Sequence, residues 1–260
     1  MKTVLSNINL EFYKDERIAI VGNNGAGKTT LMKLISKLMK PTSGSIRVMG
    51  KDNSDRSSEE IANEVSYIYQ NPEEMFIDDS IEKDVAFFLK SRNVENYEDK
   101  VNVILETLNL DSIRTKDARL LSGGQQRRVS LAIGMGMTPK VIMLDEPTGS
   151  LDISSRRELL KLLEILKKHI QTAIVATHDM QLVADWATRV IVLHKGEVIL
   201  DASPRELFSN QEVMKKANLV PPQIIELCHA LEISPICLNI DELKVRLRKK
   251  LKLAANGAIL

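Results

Sequence analysis

A glycine-rich run between a buried strand and a helix constrains this chain more than any other feature. Residues 22–29 read Gly-Asn-Asn-Gly-Ala-Gly-Lys-Thr, with an apolar run at residues 18–21 before them and a helical pattern after them. The glycines let the backbone curl so that successive N–H groups point at phosphate oxygens, and the following helix adds its positive end. The full match in this context predicts an α/β fold built around a phosphate-binding loop.

Individual residues of the loop have separate expected tasks. Lys28 is expected to reach the β- and γ-phosphates of a nucleotide, and Thr29 to give its hydroxyl to Mg²⁺. A glycine turn that only connects strand to helix is the alternative, and the complete pattern disfavours it. The predicted nucleotide-binding residues of the loop are Gly22, Asn23, Asn24, Gly25, Ala26, Gly27, Lys28, Thr29 and Thr30.

The apolar pattern along the chain predicts a mostly parallel sheet. Alternation at residues 8–12 indicates a half-exposed strand, and the spacing of apolar residues 31–39 indicates a helix that Pro41 ends. Apolar runs at 141–144 and 173–176, with a helix between them, predict a second parallel strand–helix–strand unit. Other expected elements are that helix at 155–168, a hairpin at 190–193 and 198–200 turning through Lys195-Gly196, and helices at 84–89, 101–108 and 129–137.

The order of these elements predicts a core with an inserted lobe and a short tail. A helical block at about 80–138 interrupts the core, which we expect to carry antiparallel N-terminal strands as well. We divide the chain into a core domain at 1–205 and a small helical extension at 206–260, too short to bury much surface unless it packs on the core or on a partner. Asp241 is the expected N-cap of the last helix. A solvated basic face accounts for its cations, and a membrane-surface or partner role is the alternative; these cations are Lys244, Arg246, Arg248, Lys249, Lys250 and Lys252.

Two carboxylates end the apolar run at 141–144. Ligands of a parallel sheet gather at the carboxyl ends of its strands, where the phosphate loop also lies. Asp145 is therefore expected to hold Mg²⁺ through water, and Glu146 to polarise the water that attacks the γ-phosphate. A strand that merely ends in solvated acids is the alternative.

The sequence Leu121-Ser-Gly-Gly-Gln125 predicts a second phosphate-binding helix start. Ser122 with Gln125 three residues later is a capping-box pattern, and Gly123 and Gly124 leave the first N–H groups of the helix uncovered. One ATP cannot easily satisfy two such sites within one fold. The economical solution is a dimer in which each loop closes on the nucleotide of the other subunit, and a plain capped helix is the alternative.

The set of motifs resembles the nucleotide-binding domain of ABC transporters over roughly residues 4–205. It comprises the phosphate loop, the 121–125 motif, the Asp145–Glu146 pair, Gln70, residues 150–152 and His178. The resemblance implies an ATPase that closes as a head-to-tail dimer, homomeric or heteromeric. It also implies that Gln70 senses Mg²⁺ and the partner, that Asp152 bridges the dimer and that His178 contacts the γ-phosphate. Taken singly, Gln70 could be an ordinary loop amide and His178 part of a capped turn.

A closer resemblance concerns residues 69–76 and 84–87, together with 221–227. These segments are similar to the energy-coupling-factor ATPases, which drive uptake of vitamins and of cobalt or nickel ions. The resemblance implies that an integral-membrane transporter subunit docks near residues 70–84. An acidic rim around an apolar floor suits a basic amphipathic helix of such a partner, and a solvated acidic loop is the alternative. The predicted rim is Glu73, Glu74, Asp78, Asp79, Glu82 and Asp84, and the predicted floor is Met75, Phe76 and Ile77.

Composition sets the remaining expectations. The formal net charge of +1 gives no support to a nucleic-acid partner, so none is expected. No stretch approaches the roughly 18 apolar residues that cross a bilayer, and no signal peptide is recognisable, so we expect a cytoplasmic protein. The resemblance to the energy-coupling-factor ATPases implies a peripheral position at the inner face of the membrane. Cys228 and Cys237 are expected to be idle thiols, with a disulfide or half a metal site as the alternatives.

Three other functions are alternatives. A DNA-repair or chromosome-type ABC ATPase would carry long coiled coils between residues 28 and 122, and a translation-associated ABC protein would normally carry two cassettes. A nucleotide-gated module without turnover is disfavoured by the Asp145–Glu146 pair. The transported substrate remains open. The residue that contacts adenine is also open. The resembled family usually stacks adenine on an aromatic residue of an N-terminal strand, and Phe12 and Tyr13 lie too near the phosphate loop to take that place.

Overall fold

A six-stranded sheet forms the centre of the computed structural model, which describes residues 3–149, 151, 153–167 and 169–257. Five parallel strands and one antiparallel edge strand follow the order β4-β5-β6-β1-β7-β8. A separate two-stranded antiparallel hairpin is formed by β2 and β3. The strands are β1 (Arg17–Val21), β2 (Arg47–Val48), β3 (Lys51–Asp52), β4 (Val65–Ile68), β5 (Val141–Asp145), β6 (Thr172–Thr177), β7 (Arg189–His194) and β8 (Glu197–Ala202).

Helices cover both faces of this sheet, which explains why its central strands are apolar without alternation. The predicted mixture of a mostly parallel sheet, antiparallel strands and helices is confirmed. The helices are α1 (Lys28–Ile35), α2 (Ser58–Ala62), α3 (Ile81–Ser91), α4 (Tyr97–Thr107), α5 (Gly123–Gly136), α6 (Ile153–Leu166), α7 (Met180–Trp186), α8 (Pro204–Ser209), α9 (Gln211–Lys216), α10 (Gln223–Ala230) and α11 (Ile240–Gly257).

The register of the sheet brings the ends of three strands to one edge. Val21 of β1 pairs with Thr177 of β6, and Asp145 of β5 pairs with Ala176 of β6. The phosphate loop follows β1 directly, and His178 follows β6. The candidate residues for phosphate chemistry therefore meet at the carboxyl edge of the sheet, as expected for an open parallel sheet.

Residues 8–12 do not form the predicted strand. Ile8, Leu10 and Phe12 do pack against the sheet, so their alternation reflects real burial. The segment is held by isolated hydrogen bonds instead of a ladder: the Ser6 amide donates to the Gly196 carbonyl, and the Arg189 side chain to the Glu11 carbonyl. Alternating burial alone does not require strand pairing.

Two helix ends also differ from the sequence prediction. Helix α1 ends at Ile35 instead of continuing to Met39, because Lys37 adopts a left-handed conformation with φ of 56° and reverses the chain. Helix α11 is capped by Asn239, whose Oδ1 accepts the Glu242 amide at 3.0 Å, and not by Asp241. Asp241 already lies inside the helix.

The helical block and the C-terminal extension each pack on the sheet. Helix α3 packs against α4 and α5, and all three share one apolar cluster with β4 and β5. The extension shares another cluster with β1 and β7, through residues such as Phe208 and Ile225. The sequence left open whether the extension packs on the core or on a partner. In the structure it packs on the core. The domain boundary at 205–206 remains a prediction.

Cys228 and Cys237 are both buried and form no disulfide with each other. The Cys228 thiol donates a weak hydrogen bond to the Cys237 carbonyl at 4.0 Å. Within the described ranges, none of the helices combines the length and the apolar character needed to span a membrane.

Candidate nucleotide site

The phosphate loop has the backbone that its glycines predict. Gly27 has a φ of 108° and is the N-cap residue of α1. An added Cβ at this position would overlap the side chain of Leu5, so only glycine fits without displacement. Because Gly27 has no side chain to cap the helix, the first N–H groups of α1 remain available to an anion.

Lys28 is buried at the centre of the loop. Its ammonium group donates to the carbonyl of Gly22 at 2.8 Å and lies 3.5 Å from the carbonyl of Asn23. The same nitrogen lies 3.3 Å from Oε1 of Glu146. The lysine thus folds back over its own loop and pairs with the carboxylate that follows β5. Thr29 and Thr30 lie in the first turn of α1, with Thr29 exposed.

Glu146 has a second contact through its other oxygen. Oε2 lies 2.8 Å from Nδ1 of His178 and 3.3 Å from the His178 backbone nitrogen. The glutamate is 8 % exposed, whereas the His178 side chain is 67 % exposed. Glu146 also has a φ of 44°, a conformation that a residue with a side chain adopts at a cost and that occurs often at functional sites.

Asp145 has one free oxygen in a buried position. Its Oδ2 accepts a hydrogen bond of 2.7 Å from the Tyr67 hydroxyl, and its Oδ1 has no hydrogen-bond partner among the described residues. A buried carboxylate oxygen without a partner is costly unless a cation or water satisfies it. The oxygen therefore fits a metal ligand. Burial and, in addition, the hydrogen bond to Asp145 raise the pKa of Tyr67, so its hydroxyl stays protonated and remains a donor.

Gln70 lies just past β4, the neighbour of β5 in the sheet, and is exposed. Its backbone carbonyl accepts a hydrogen bond of 2.7 Å from Arg127 of α5. The structure thus places Gln70 at the same edge as Asp145, but ties its main chain to the helix that follows the second predicted anion site.

Ser122 caps α5 as the sequence predicted. Its hydroxyl accepts the Gln125 amide at 3.4 Å, and the Gln125 side chain accepts the Ser122 amide at 3.1 Å. Ser122 and Gly123 are exposed, and Gly124 lies beside Ser155. Among the described residues, hydrogen bonds of this region lead to residues 69–78 rather than to the phosphate loop. Asp152 lies outside the described residues.

The acidic rim predicted for residues 70–84 needs correction. Asp84 is 2 % exposed, so it does not belong to a rim; its Oδ1 accepts the amides of Ile77 and Asp78, both at 2.8 Å. Met75 and Phe76 are buried, which leaves Ile77 as the exposed apolar residue. The positions of the acidic residues in the sequence could not show which carboxylate turns inward to accept the backbone amides of a loop.

Neighbouring cations also reduce the negative charge of this segment. The Lys83 ammonium lies 2.7 Å from an oxygen of Asp79, and Arg114 lies 2.7 Å from Glu82. The side chains of Glu73 and Glu74 are exposed. The surface around residues 73–82 is therefore acidic but partly neutralised.

Sequence reasoning missed the residues that orient the site from outside it. Tyr67 binds Asp145, Arg127 binds the carbonyls of Tyr69 and Gln70, and Arg156 lies 3.2 Å from Asp179. A tyrosine in a strand or an arginine in a helix gives no pattern of its own. Asp179 does cap α7 as the alternative for this turn suggested, accepting the amides of Gln181 and Leu182.

Comparison with known proteins decides the family. Residues 5–149, more than half of the chain, match the sequence profile of the ABC transporter family. The chain belongs to this family. As an ABC ATPase it binds and hydrolyses ATP, which agrees with the phosphate loop and the contact between Lys28 and Glu146.

Relatives and solved structures resemble this ABC ATPase over most of its length. The energy-coupling factor transporter ATP-binding protein EcfA1 of Clostridium perfringens is 37% identical over 93% of this chain and 89% of its own. The structure of CbiO1 from Clostridium perfringens, part of the ABC transporter complex CbiONQ, has a TM-score of 0.73 at 33% identity, covering 88% of this chain and 92% of that one. A dimeric ATP-binding cassette in a post-hydrolysis state with ADP and Pi has a TM-score of 0.69 at 27% identity, covering 78% and 91%.

Proposed function

We propose that this ABC ATPase is the ATP-hydrolysing subunit of an energy-coupling-factor importer for vitamins or transition-metal ions. The observation that carries the catalytic part is the contact of Lys28, Glu146 and His178 at one edge of the sheet. The importer part is supported by the likeness to EcfA1 and to CbiO1 over most of the chain.

The phosphates of ATP are proposed to bind residues 22–30, with Lys28 on the β- and γ-phosphates. Thr29 and Asp145 would hold Mg²⁺ with Gln70 beside them, and the unpartnered Oδ1 of Asp145 fits this role. Bound Mg²⁺ neutralises charge on the phosphate oxygens.

Glu146 is the proposed group that polarises the attacking water. Its two oxygens contact Lys28 and His178, so ATP must draw Lys28 toward the phosphates before Glu146 can act on water. His178 follows β6 with a largely exposed side chain and is proposed to contact the γ-phosphate. Together the two residues orient the water and the phosphoryl group, which is the main task in phosphoryl transfer.

A second ABC ATPase subunit is proposed to complete each site. Ser122, Gly123, Gly124 and Gln125 of one subunit would cover the γ-phosphate held by the other, because the start of α5 is exposed and the N–H groups at a helix start suit an anion. Asp152 is the proposed bridge between the subunits. Hydrolysis removes the shared γ-phosphate contacts, and the dimer opens.

Residues 70–84 are the proposed docking segment for an integral-membrane transporter subunit. Exposed Glu73, Glu74 and Asp79 surround the exposed Ile77, and this combination suits a basic amphipathic helix. Such docking would place the chain at the cytoplasmic face of the membrane as a peripheral subunit.

The proposal is tested by two measurements on the full chain. Phosphate release from Mg-ATP should be saturable and should be lost when Glu146 is replaced by Gln. Co-purification with the integral-membrane subunit encoded in the same genome should weaken when Glu73 and Asp79 are changed to Lys, whereas Glu212→Lys, an exposed site on α9, should leave it unchanged. Undiminished co-purification of the double variant would contradict the docking assignment.

A further inference from the structure

Two arginines flank the exposed start of α5, and both bind the backbone of the stretch that precedes α3. Arg127 donates to the carbonyls of Tyr69 at 3.0 Å and Gln70 at 2.7 Å. Arg119 donates to the carbonyls of Phe76 and Asp78, both at 2.9 Å. Residues 118–127, called here the signature segment, therefore form hydrogen bonds with both ends of the stretch 69–78.

Arg127 is held in an unusual way for a buried cation. It is 6 % exposed, and among the described residues it donates to main-chain carbonyls instead of a carboxylate. Burial lowers the pKa of Arg127 to about 10, although the negative charge of Asp145 acts in the opposite direction. A buried charge without a directly bonded counter-ion is costly, and an apolar side chain would pack there at lower cost. Stability of the fold alone therefore does not explain why an arginine occupies this buried position.

A third contact lies between the two arginines. The Gln126 side-chain amide donates to Oε1 of Glu73 at 3.3 Å and to the Arg119 carbonyl at 3.3 Å. The three contacts follow the stretch 69–78 in order, from Tyr69 through Glu73 to Asp78. Side chains of the signature segment thus bind this stretch along its length.

The stretch is also anchored to α3 and to the body of α5. Asp84 accepts the amides of Ile77 and Asp78, and the 3₁₀ turn Pro72–Met75 packs against α5. The stretch has no strand or long helix of its own after β4. Its position is therefore set by side chains of α3 and of the signature segment.

We propose that Arg119 and Arg127 are positioning residues that make the signature segment and residues 69–78 move as one body. The inference rests on the proposed function, in which ATP bound by one subunit draws in the start of α5 of the other. Movement of α5 then displaces the Gln70 backbone and the docking segment without a separate hinge between them. Arg127 acts on the nucleotide site through Gln70 and touches neither phosphate nor water.

Hydrogen exchange of the full chain without nucleotide tests the link directly. Arg127→Met should speed amide exchange in residues 71–76, and Arg119→Met should speed it at residues 77–79. We expect about 10-fold in each case, as for the loss of a hydrogen bond from a charged donor. Arg127→Lys should restore part of the protection, because an ammonium group still donates to carbonyls.

Arg92→Met is the matched control. Arg92 is also a partly buried arginine that donates to main-chain carbonyls, those of Met137 and Ala62, and both of these lie outside residues 69–78. It should leave exchange at residues 71–79 unchanged. Unchanged exchange in Arg119→Met and Arg127→Met, or the same increase in Arg92→Met, would overturn the proposal.

A double-mutant cycle on ATP hydrolysis shows whether Arg127 acts through Gln70. Arg127→Met should lower kcat several-fold and change KM for ATP less than twofold, and it should have little further effect on Gln70→Ala. Additive effects would contradict the inference. If the unmodified chain released no phosphate at all, the proposed function would fail. Hydrogen exchange would still show whether Arg119 and Arg127 connect the signature segment to residues 69–78.

Discussion

The ammonium group of Lys28 lies 3.3 Å from the carboxylate of Glu146, so the cation of the phosphate loop and the proposed catalytic base form a buried ion pair. Glu146 keeps a second partner in His178 at 2.8 Å. Breaking a buried pair on one side leaves an uncompensated charge, unless another group replaces the lost partner. We expect phosphate to take the place of Glu146 at Lys28 and so to free the carboxylate when nucleotide binds.

Lys28→Ala should weaken ATP binding by at least about 10-fold, because a charge-assisted contact to phosphate is lost. The change also leaves Glu146 without its cation. Isothermal titration with ATP measures the affinity directly. Lys40→Ala, an exposed lysine just beyond α1, is the control and should bind ATP normally. Equal affinity of Lys28→Ala and the unmodified chain would refute the role of the loop.

Glu146→Gln should reduce the rate of ATP hydrolysis by about 10²–10⁴-fold, the range for a positioned general base. Binding of Mg-ATP should persist, so light scattering should detect an ATP-dependent dimer. Glu212→Gln on α9 is the control and should hydrolyse ATP normally. Near-normal turnover of Glu146→Gln would exclude this residue as the base. A dimer would show that one kind of chain suffices, and a monomer that still binds ATP would point to a different partner chain.

Tyr67→Phe should weaken the binding of Mg²⁺ about 10-fold, because the hydroxyl orients the Asp145 carboxylate and loss of such an orienting partner reduces metal affinity. The measurement is the Mg²⁺ concentration that gives half-maximal ATP binding. Tyr69→Phe is the matched control, since its ring packs edge-on against Tyr67 in the same strand region. An identical Mg²⁺ requirement in Tyr67→Phe and Tyr69→Phe would count against the orienting role.

Asp84 should make a contribution to the free energy of unfolding that falls as pH rises, which is the reverse of the usual effect of a carboxyl group. Burial raises the pKa of its carboxyl, and the amides of Ile77 and Asp78 oppose this only in part. The folded state therefore binds the proton more tightly, so the contribution of Asp84 to stability falls as pH rises from the ordinary carboxyl range through the raised pKa. Relative to the unmodified chain, Asp84→Asn should gain unfolding free energy in urea denaturation as pH rises from about 4 to about 7, because the loss in the unmodified chain begins at the ordinary carboxyl pKa.

Two further variants control this prediction. Asp84→Ala should destabilise the fold by about 1–3 kcal/mol at either pH, since the amides of Ile77 and Asp78 lose their acceptor. Asp79→Asn should show no such gain above about pH 4, because the Lys83 hydrogen bond lowers the pKa of Asp79 and confines its effect on stability to pH values below the ordinary carboxyl range. The same pH profile in Asp84→Asn and the unmodified chain would disprove the assignment.

Features that depend on neighbours in the sequence could be predicted closely. The phosphate loop, the capping box of Ser122 and Gln125 and the hairpin through Lys195-Gly196 all agree with the structure, because glycine conformation and helix capping are local properties. The buried strands β1, β5 and β6 were predictable for the same reason, since their apolar runs are continuous.

Features that depend on distant partners could not be predicted. Asp84 looked like one more exposed acid, yet it turns inward to bind a loop backbone. Residues 8–12 alternate as a strand would, yet their backbone pairs with other segments in single hydrogen bonds. Alternation reports which side chains are buried and says nothing about which backbone groups meet.

By itself, therefore, the sequence determined the loop that binds phosphate, the two carboxylates after β5 and the strands and helices that carry them. Only the tertiary structure decided that Tyr67 holds Asp145, that Lys28 pairs with Glu146 and that Arg127 binds the backbone at Gln70. The physical reason is separation along the chain. Each of these contacts joins residues 57 or more positions apart, and sheet order and helix packing bring them together.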